Sequence, residues 1–129
     1  MYREAEYRVL GDPSIVLRID VASAALAHLH RALGVDCSAF ITACNPGSRT
    51  TAAAINLERQ ALLAQDLASQ GLVPVEAVGM DPSGRWAAEP SFLVPGMSQP
   101  EAERIGVRYA QNAIAWAGSD ALLRLILLR

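Results

Sequence analysis

The stretch Phe40-Ile41-Thr42-Ala43-Cys44-Asn45-Pro46-Gly47-Ser48-Arg49 constrains this chain most, because an apolar run breaks there into a polar turn and then opens onto a long helical pattern. A run with so little charge suits a central strand covered on both faces, here Ser38 to Cys44. Proline cannot continue a strand ladder, and asparagine and glycine tolerate turn geometry, so Asn45-Pro46-Gly47 ends the strand. A strand that delivers Thr42, Asn45, Ser48 and Arg49 to one sheet edge, beside the N–H groups opening a helix, is where α/β proteins gather ligands. No complete catalytic triad, metal-ligand set or phosphate loop accompanies it.

At 129 residues the chain reads as one domain, long enough for a real core. With 52% hydrophobic but only 5% aromatic residues, that core must be built from Ala, Leu, Val and Ile. All 11 basic residues are arginine, which a GC-rich coding bias explains and which leaves any cationic contact planar and bidentate. A net charge of −2 gives no pull toward nucleic acid or anionic membrane, and Tyr2, Tyr7, Trp86 and Tyr109 do not interleave with a basic stripe. The start carries no apolar signal segment, and no run approaches the ~18 apolar residues a membrane span needs. A cytoplasmic protein is expected. Cys37 and Cys44 flank one strand and would lie roughly 23 Å apart when extended, so reduced thiols are expected.

In chain order, residues 2–9 suit an edge strand, Gly11-Asp12-Pro13 a turn, and Ser14 to Ile19 a pairing strand. Asp20 is the expected N-cap of a helix with Ala22, Ala25, Leu26, Leu29 and Leu33 at helical spacing and Gly34 as its stop. His28 and His30 sit two apart on that helix and cannot share a metal on one face. Ser48 is the expected N-cap of a second helix running to Gln70, with Ile55, Leu62, Leu63 and Leu67 on its inner arc. Arg59 falls in the middle of that arc, with Asn56 at its limit. An arginine there needs a partner, and Glu89 is the expected carboxylate.

Leu72 to Val78 alternates as a strand, and Asp81-Pro82-Ser83-Gly84 turns it into a return strand, Arg85 to Val94. Pro90 marks an edge or bulge there. Ser98-Gln99-Pro100-Glu101 has capping-box spacing and predicts a helix that Gly118 ends, with Ala102, Ile105, Tyr109, Ala113 and Trp116 inward and Arg104, Arg108 and Gln111 outward. Leu122 to Leu128 is a final strand. The expected fold is therefore an α/β (α+β) two-layer sandwich of order β-β-α-β-α-β-β-α-β. It has three helices and a mixed sheet of about five or six strands, with a right-handed parallel crossover through the helix after Ser48.

Thr42-Ala43, Asn45-Pro46, Ser48, Asn56 with Arg59, Glu89-Pro90-Ser91-Phe92 and Gln111-Asn112-Ala113-Ile114 occur in an order and spacing that resembles a family of short bacterial proteins known as domain of unknown function 3293. The resemblance covers nearly the whole chain, implies a bacterial origin and brings no established activity. An aromatic residue often stands in that family where this chain has Cys44, which speaks against Cys44 as a nucleophile.

Thr42, Asn45, Ser48, Arg49, Asn56, Arg59, Ser91 and Asn112 are thus candidate ligand-binding residues, with Glu89 as candidate acid or base. Arg49, Arg59 and the helix start would hold a small anionic ligand, with no metal and no cofactor implied. The competing expectation is a protein-interaction or structural module. The Leu-rich last strand would then pair through a sheet edge, as in a homodimer, and the polar cluster would serve as a buried stabilising network.

Overall fold

A computed structural model describes residues 4–11 and 14–129, so Tyr2, Asp12 and Pro13 lie outside the described residues. The elements run β1 (Glu6–Val9), β2 (Ile15–Leu17), α1 (Ala24–Leu33), β3 (Ser38–Ile41), α2 (Ala53–Ser69), β4 (Val75–Met80), β5 (Glu89–Pro95), α3 (Gln99–Arg108), β6 (Ala113–Ala117) and β7 (Leu123–Leu127). They form a 7-stranded sheet in the order β2-β1-β4-β5-β3-β6-β7, with every neighbouring pair antiparallel. The sheet is therefore antiparallel rather than mixed, and longer than expected. β3 and β4 do run in the same direction on either side of α2, but β5 inserts between them, so no parallel pair is hydrogen-bonded.

The additional strand is β6, read from sequence as the end of a long third helix. That helix stops at Arg108, and Ala110 takes a left-handed conformation (φ 58°) that turns the chain into β6. Ala113 to Ala117 is apolar on both faces because it sits between β3 and β7, and such a run does not distinguish strand from helix by period. The capping box at the start of α3 is present, with Ser98 and Glu101 each bonding the other's backbone N–H. Two other N-caps are displaced. Ser23, not Asp20, caps α1, while Gly34 stops that helix in a left-handed conformation as expected. α2 begins at Ala53 behind Ala52, which offers no side-chain cap, and Ser48 instead ends a short 3-10 turn, Pro46–Ser48.

The sheet curls until its two ends approach. Asp20 N–H donates to the Leu123 carbonyl (2.7 Å), Ser23 N–H donates to the Ala121 carbonyl (3.0 Å), and Ala22 bridges Leu122. Part of the edge of β7 is thereby covered by the segment that follows β2. Inside the curl, Tyr7, Val9, Leu17, Phe40, Ala77, Leu93, Ala115 and Leu123 pack with Leu26 of α1. On the outer face, Ala39, Ile41, Val94 and Ile114 pack with Leu63 and Leu67 of α2 and Ala102, Ile105 and Tyr109 of α3. β3, buried at all four positions, is covered on both sides as its sequence implies, and helices lie on both faces rather than in two layers.

Candidate functional site

α1 sits where β3 and β5 place Ser38 and Pro95, and at the opposite end the curl stays open. A cavity of about 340 Å³ lies there. The register explains the gathering, because antiparallel strands bring the start of β1, β5 and β6 and the end of β3, β4 and β7 to that one end. Tyr7, Phe40, Ala115 and Leu125 give the cavity an apolar interior, and Trp86 and Ala87 of the β4–β5 connection contribute a wall. Gly79 pairs with Glu89, and its missing side chain leaves space against the Glu89 carbonyl and Ser91 Oγ, each 4.0 Å from where a Cβ would stand.

Of the residues expected at a site, Thr42, Asn45, Ser48, Glu89 and Ser91 line this cavity. Asn56 and Asn112 stand one hydrogen bond behind it. Asn56 accepts from Asn45 N–H (2.8 Å) and donates to Asn45 Oδ1 (2.9 Å), while Asn112 donates to Ser48 Oγ (2.8 Å). Thr42 Oγ1 donates to the Pro90 carbonyl (2.7 Å) and accepts from Cys44 N–H (3.0 Å). A strand residue's N–H and C=O point the same way, so Pro90's absent donor faces a point where β3 has already ended. Its proline is tolerated in an interior strand for that reason.

Arg59 and Arg49 are not in the lining. Arg49 is exposed. Arg59 Nε donates to the Ala43 carbonyl (2.6 Å), a terminal nitrogen donates to the Tyr109 carbonyl, and the guanidinium lies 5.9 Å from the centre of the Tyr109 ring. The expected Arg59–Glu89 ion pair is not formed. Arg59 finds its inward partners in two loop carbonyls rather than in a carboxylate. The phase of α2 is shifted accordingly: Gln60, Leu63 and Leu67 are buried, whereas Ile55 and Leu62 are half exposed (51% and 54%). Polar side chains occupy that helix's inner face because they hold the 42–51 loop.

Glu89 accepts from Asn45 Nδ2 (2.8 Å) at Oε2, and burial pushes its carboxyl above the ordinary carboxylate range. Asn45 has φ 47° and, through Oδ1, also accepts from Thr51 N–H (3.0 Å). Gly47 N–H donates to the Ala110 carbonyl (2.6 Å), and Ser48 and Ala110 are both left-handed. Backbone conformations that cost about 1–3 kcal/mol each are thus concentrated at the cavity mouth. Burial raises the thiols of both cysteines, and Cys44 Sγ lies against the Pro90 carbonyl (3.5 Å). Both are free, as expected. His28 and His30 belong to α1 at the far end of the sheet, and among the described residues no group of His, Cys, Asp and Glu could hold a metal.

Sequence reading missed three contributors. Gln60 Oε1 accepts from Ala43 N–H (2.7 Å) and fixes the end of β3. Gln111, expected to face outward, is buried and donates to the carbonyls of Cys44 (3.1 Å) and Tyr109 (3.2 Å) while lining the cavity. Trp86 reaches the cavity from the hairpin connection. Only Gln111 carried a signal, through its place in Gln111-Asn112-Ala113-Ile114.

Fold and site together define a small α+β domain with a curled antiparallel sheet whose open end is lined by one carboxylate, several amides and hydroxyls, and aromatic rings. The chain belongs to the family described as protein of unknown function (DUF3293), whose model matches residues 41–114. That span runs from the end of β3 to the start of β6 and so contains every candidate site residue. No curated protein and no solved structure matches the chain. No helix among the described residues is long and apolar enough to cross a membrane.

Proposed function

We propose that this chain binds a small organic molecule in the cavity at the open end of the curled sheet, with Glu89 as its polar anchor. The observation that carries this reading is the placement of a partly buried carboxyl, bonded on only one oxygen, against a largely apolar cavity of about 340 Å³. Concave, largely apolar sites of roughly 300 Å³ and above, with a few fixed polar groups, are the usual form of small-molecule sites. A fold needing stability alone would fill such a space, since taking even part of a carboxyl's surface out of water costs free energy. The anion expected from sequence depended on Arg49 and Arg59 facing the ligand. With those arginines elsewhere, a carboxylate or phosphate in this cavity would meet Glu89 instead.

Asn56, Arg59, Gln60 and Asn112 support the structural reading for the outer half of the cluster, because each bonds the loop that forms the cavity rim. They are a scaffold for the site. The interaction-module reading weakens to the same extent that residues 20–23 cover the edge of β7. A thermal-shift screen of small amines, amides, carboxylates and sugar phosphates tests the proposal. A binder at a hundredfold excess over its dissociation constant adds about 2.7 kcal/mol. Hits should disappear in Gly79→Leu, which adds a side chain to the cavity lining beside Ser91 and the Glu89 backbone. Hits that persist in that variant would place binding elsewhere and overturn the reading.

A further inference from the structure

We infer that the cavity selects small organic cations, amine or amidinium groups on a flat apolar body, over neutral or anionic molecules of the same shape. This rests on the binding reading above and adds the charge and hydrogen-bonding character of the ligand. Glu89 is the one acidic or basic side chain among the described lining residues; no arginine or histidine is there to receive an anion.

Two of the polar side-chain atoms left over, on Glu89 and Gln111, are acceptors when Glu89 is charged, beside the Thr50 hydroxyl, which can donate or accept. Asn45 commits its amide nitrogen to Glu89 Oε2 and its amide oxygen to Asn56 and Thr51, so it has little left to offer a ligand. Glu89 Oε1 is bonded to no protein donor. Gln111, 7% exposed, points its nitrogen at the carbonyls of Cys44 and Tyr109, which fixes the amide orientation and leaves its oxygen without a protein donor. Two unfilled acceptors call for a ligand with N–H donors. The rings of Tyr7, Phe40 and Trp86 line the same cavity. Aromatic faces attract cations and pack against flat apolar bodies, and they give an anion nothing in return.

Partial burial raises the Glu89 pKa by disfavouring its charged form, and a bound cation would oppose that shift. Affinity for a cation should therefore rise with pH across the titration of Glu89. Affinity for a neutral isostere should not.

The test uses benzamidine, benzamide and benzoate, matched in shape and differing in charge, titrated into the whole chain by calorimetry and by amide NMR. Benzamidine should bind about tenfold tighter than benzamide, as charge-assisted hydrogen bonds exceed neutral ones, and benzoate weakest. The amides of Gly79 and Gln111 should shift. Glu89→Gln should bring benzamidine and benzamide within about twofold of each other and abolish the pH dependence of the former. Benzoate binding as tightly as benzamidine, or a benzamidine preference that survives Glu89→Gln, overturns the inference. If all three fail while other compounds bind and lose binding in Gly79→Leu, the charge inference is overturned and the cavity reading stands. If nothing binds in a manner sensitive to Gly79→Leu, both are overturned.

Discussion

Asn45 and Asn56 hold each other by a reciprocal pair of hydrogen bonds, Asn45 N–H to Asn56 Oδ1 at 2.8 Å and Asn56 Nδ2 to Asn45 Oδ1 at 2.9 Å. This pair fixes the left-handed turn at Asn45 to the first turn of α2, and Asn45 in turn positions Glu89. Asn56→Ala would orphan the Asn45 backbone donor and remove one donor to its side chain. Such losses cost about 1–3 kcal/mol for a buried group, so the variant should unfold at lower urea with an unchanged m-value. Amide exchange at Thr51, whose N–H is held by Asn45 Oδ1, should speed up. Wild-type exchange at Thr51 in the variant would show that the loop does not depend on this pair.

Legibility of this fold from its sequence follows how local each signal is. The Ser98–Glu101 capping box and the Gly34 stop depend on neighbours in the chain and stand where they were read, while the uncharged run read as a strand from Ser38 to Cys44 forms one over Ser38–Ile41. β6 was unreadable because a strand covered on both faces has no period of its own, and the turn before it uses Ala110 where a glycine would have announced it. The convergence of Thr42, Asn45, Ser48, Glu89 and Ser91 was legible because inward polar residues in apolar stretches need partners. Which partners they find was not. Arg59 takes two carbonyls where the sequence suggested Glu89, since backbone acceptors left free at strand and helix ends leave no mark in the composition.

Arg59 makes a second prediction. Its guanidinium satisfies the carbonyls of Ala43 and Tyr109 and covers the Tyr109 ring, whose hydroxyl donates to Asp66 and is pushed up to about 12 by burial and that carboxylate. Arg59→Ala should lose about 1–3 kcal/mol, and Arg59→Lys should recover only part, because an ammonium cannot reproduce the planar fork. Equal stability of the lysine variant and the wild type in urea melts would show that charge alone suffices.

His30 gives the chain an acid-side dependence. Its Nε2 lies 2.7 Å from Ser38 Oγ, both groups are buried, and burial lowers its pKa below 6.5. The folded state therefore binds this proton less readily than the unfolded chain does. Its contribution to stability is present above pH 6.5 and is lost as pH falls from there through the folded value. His30→Gln should weaken the fold by about 1 kcal/mol at pH 8, the scale of one hydrogen bond. The same variant should flatten the decline of the melting temperature below pH 6.5 relative to wild type. Parallel curves for the two proteins would exclude His30 as the group responsible.

Glu89 acts in the opposite sense. Burial raises its carboxyl above 4.5, outweighing the Asn45 hydrogen bond that favours the charged form. A raised pKa means that the folded state holds the proton more tightly than the unfolded chain. The associated stability is full below pH 4.5 and is lost as pH rises through the folded value. Ionising Glu89 in the native state thus leaves a partly buried carboxylate whose solvation is poorer than in water. Glu89→Gln keeps the shape and can still accept from Asn45 Nδ2, but it removes that charge. The variant should melt higher than wild type at pH 8, and the gap should shrink on acidification as the Glu89 carboxyl takes up its proton. Differences between the two proteins isolate this effect, since Glu4, Asp81, Glu101 and Asp120 have lowered values and lose their contributions on acidification in both. A variant less stable than wild type at pH 8 would mean that the ionised carboxylate is held by donors that stabilise its charge, and Glu89 would then lose its standing as a poised anchor for a cation.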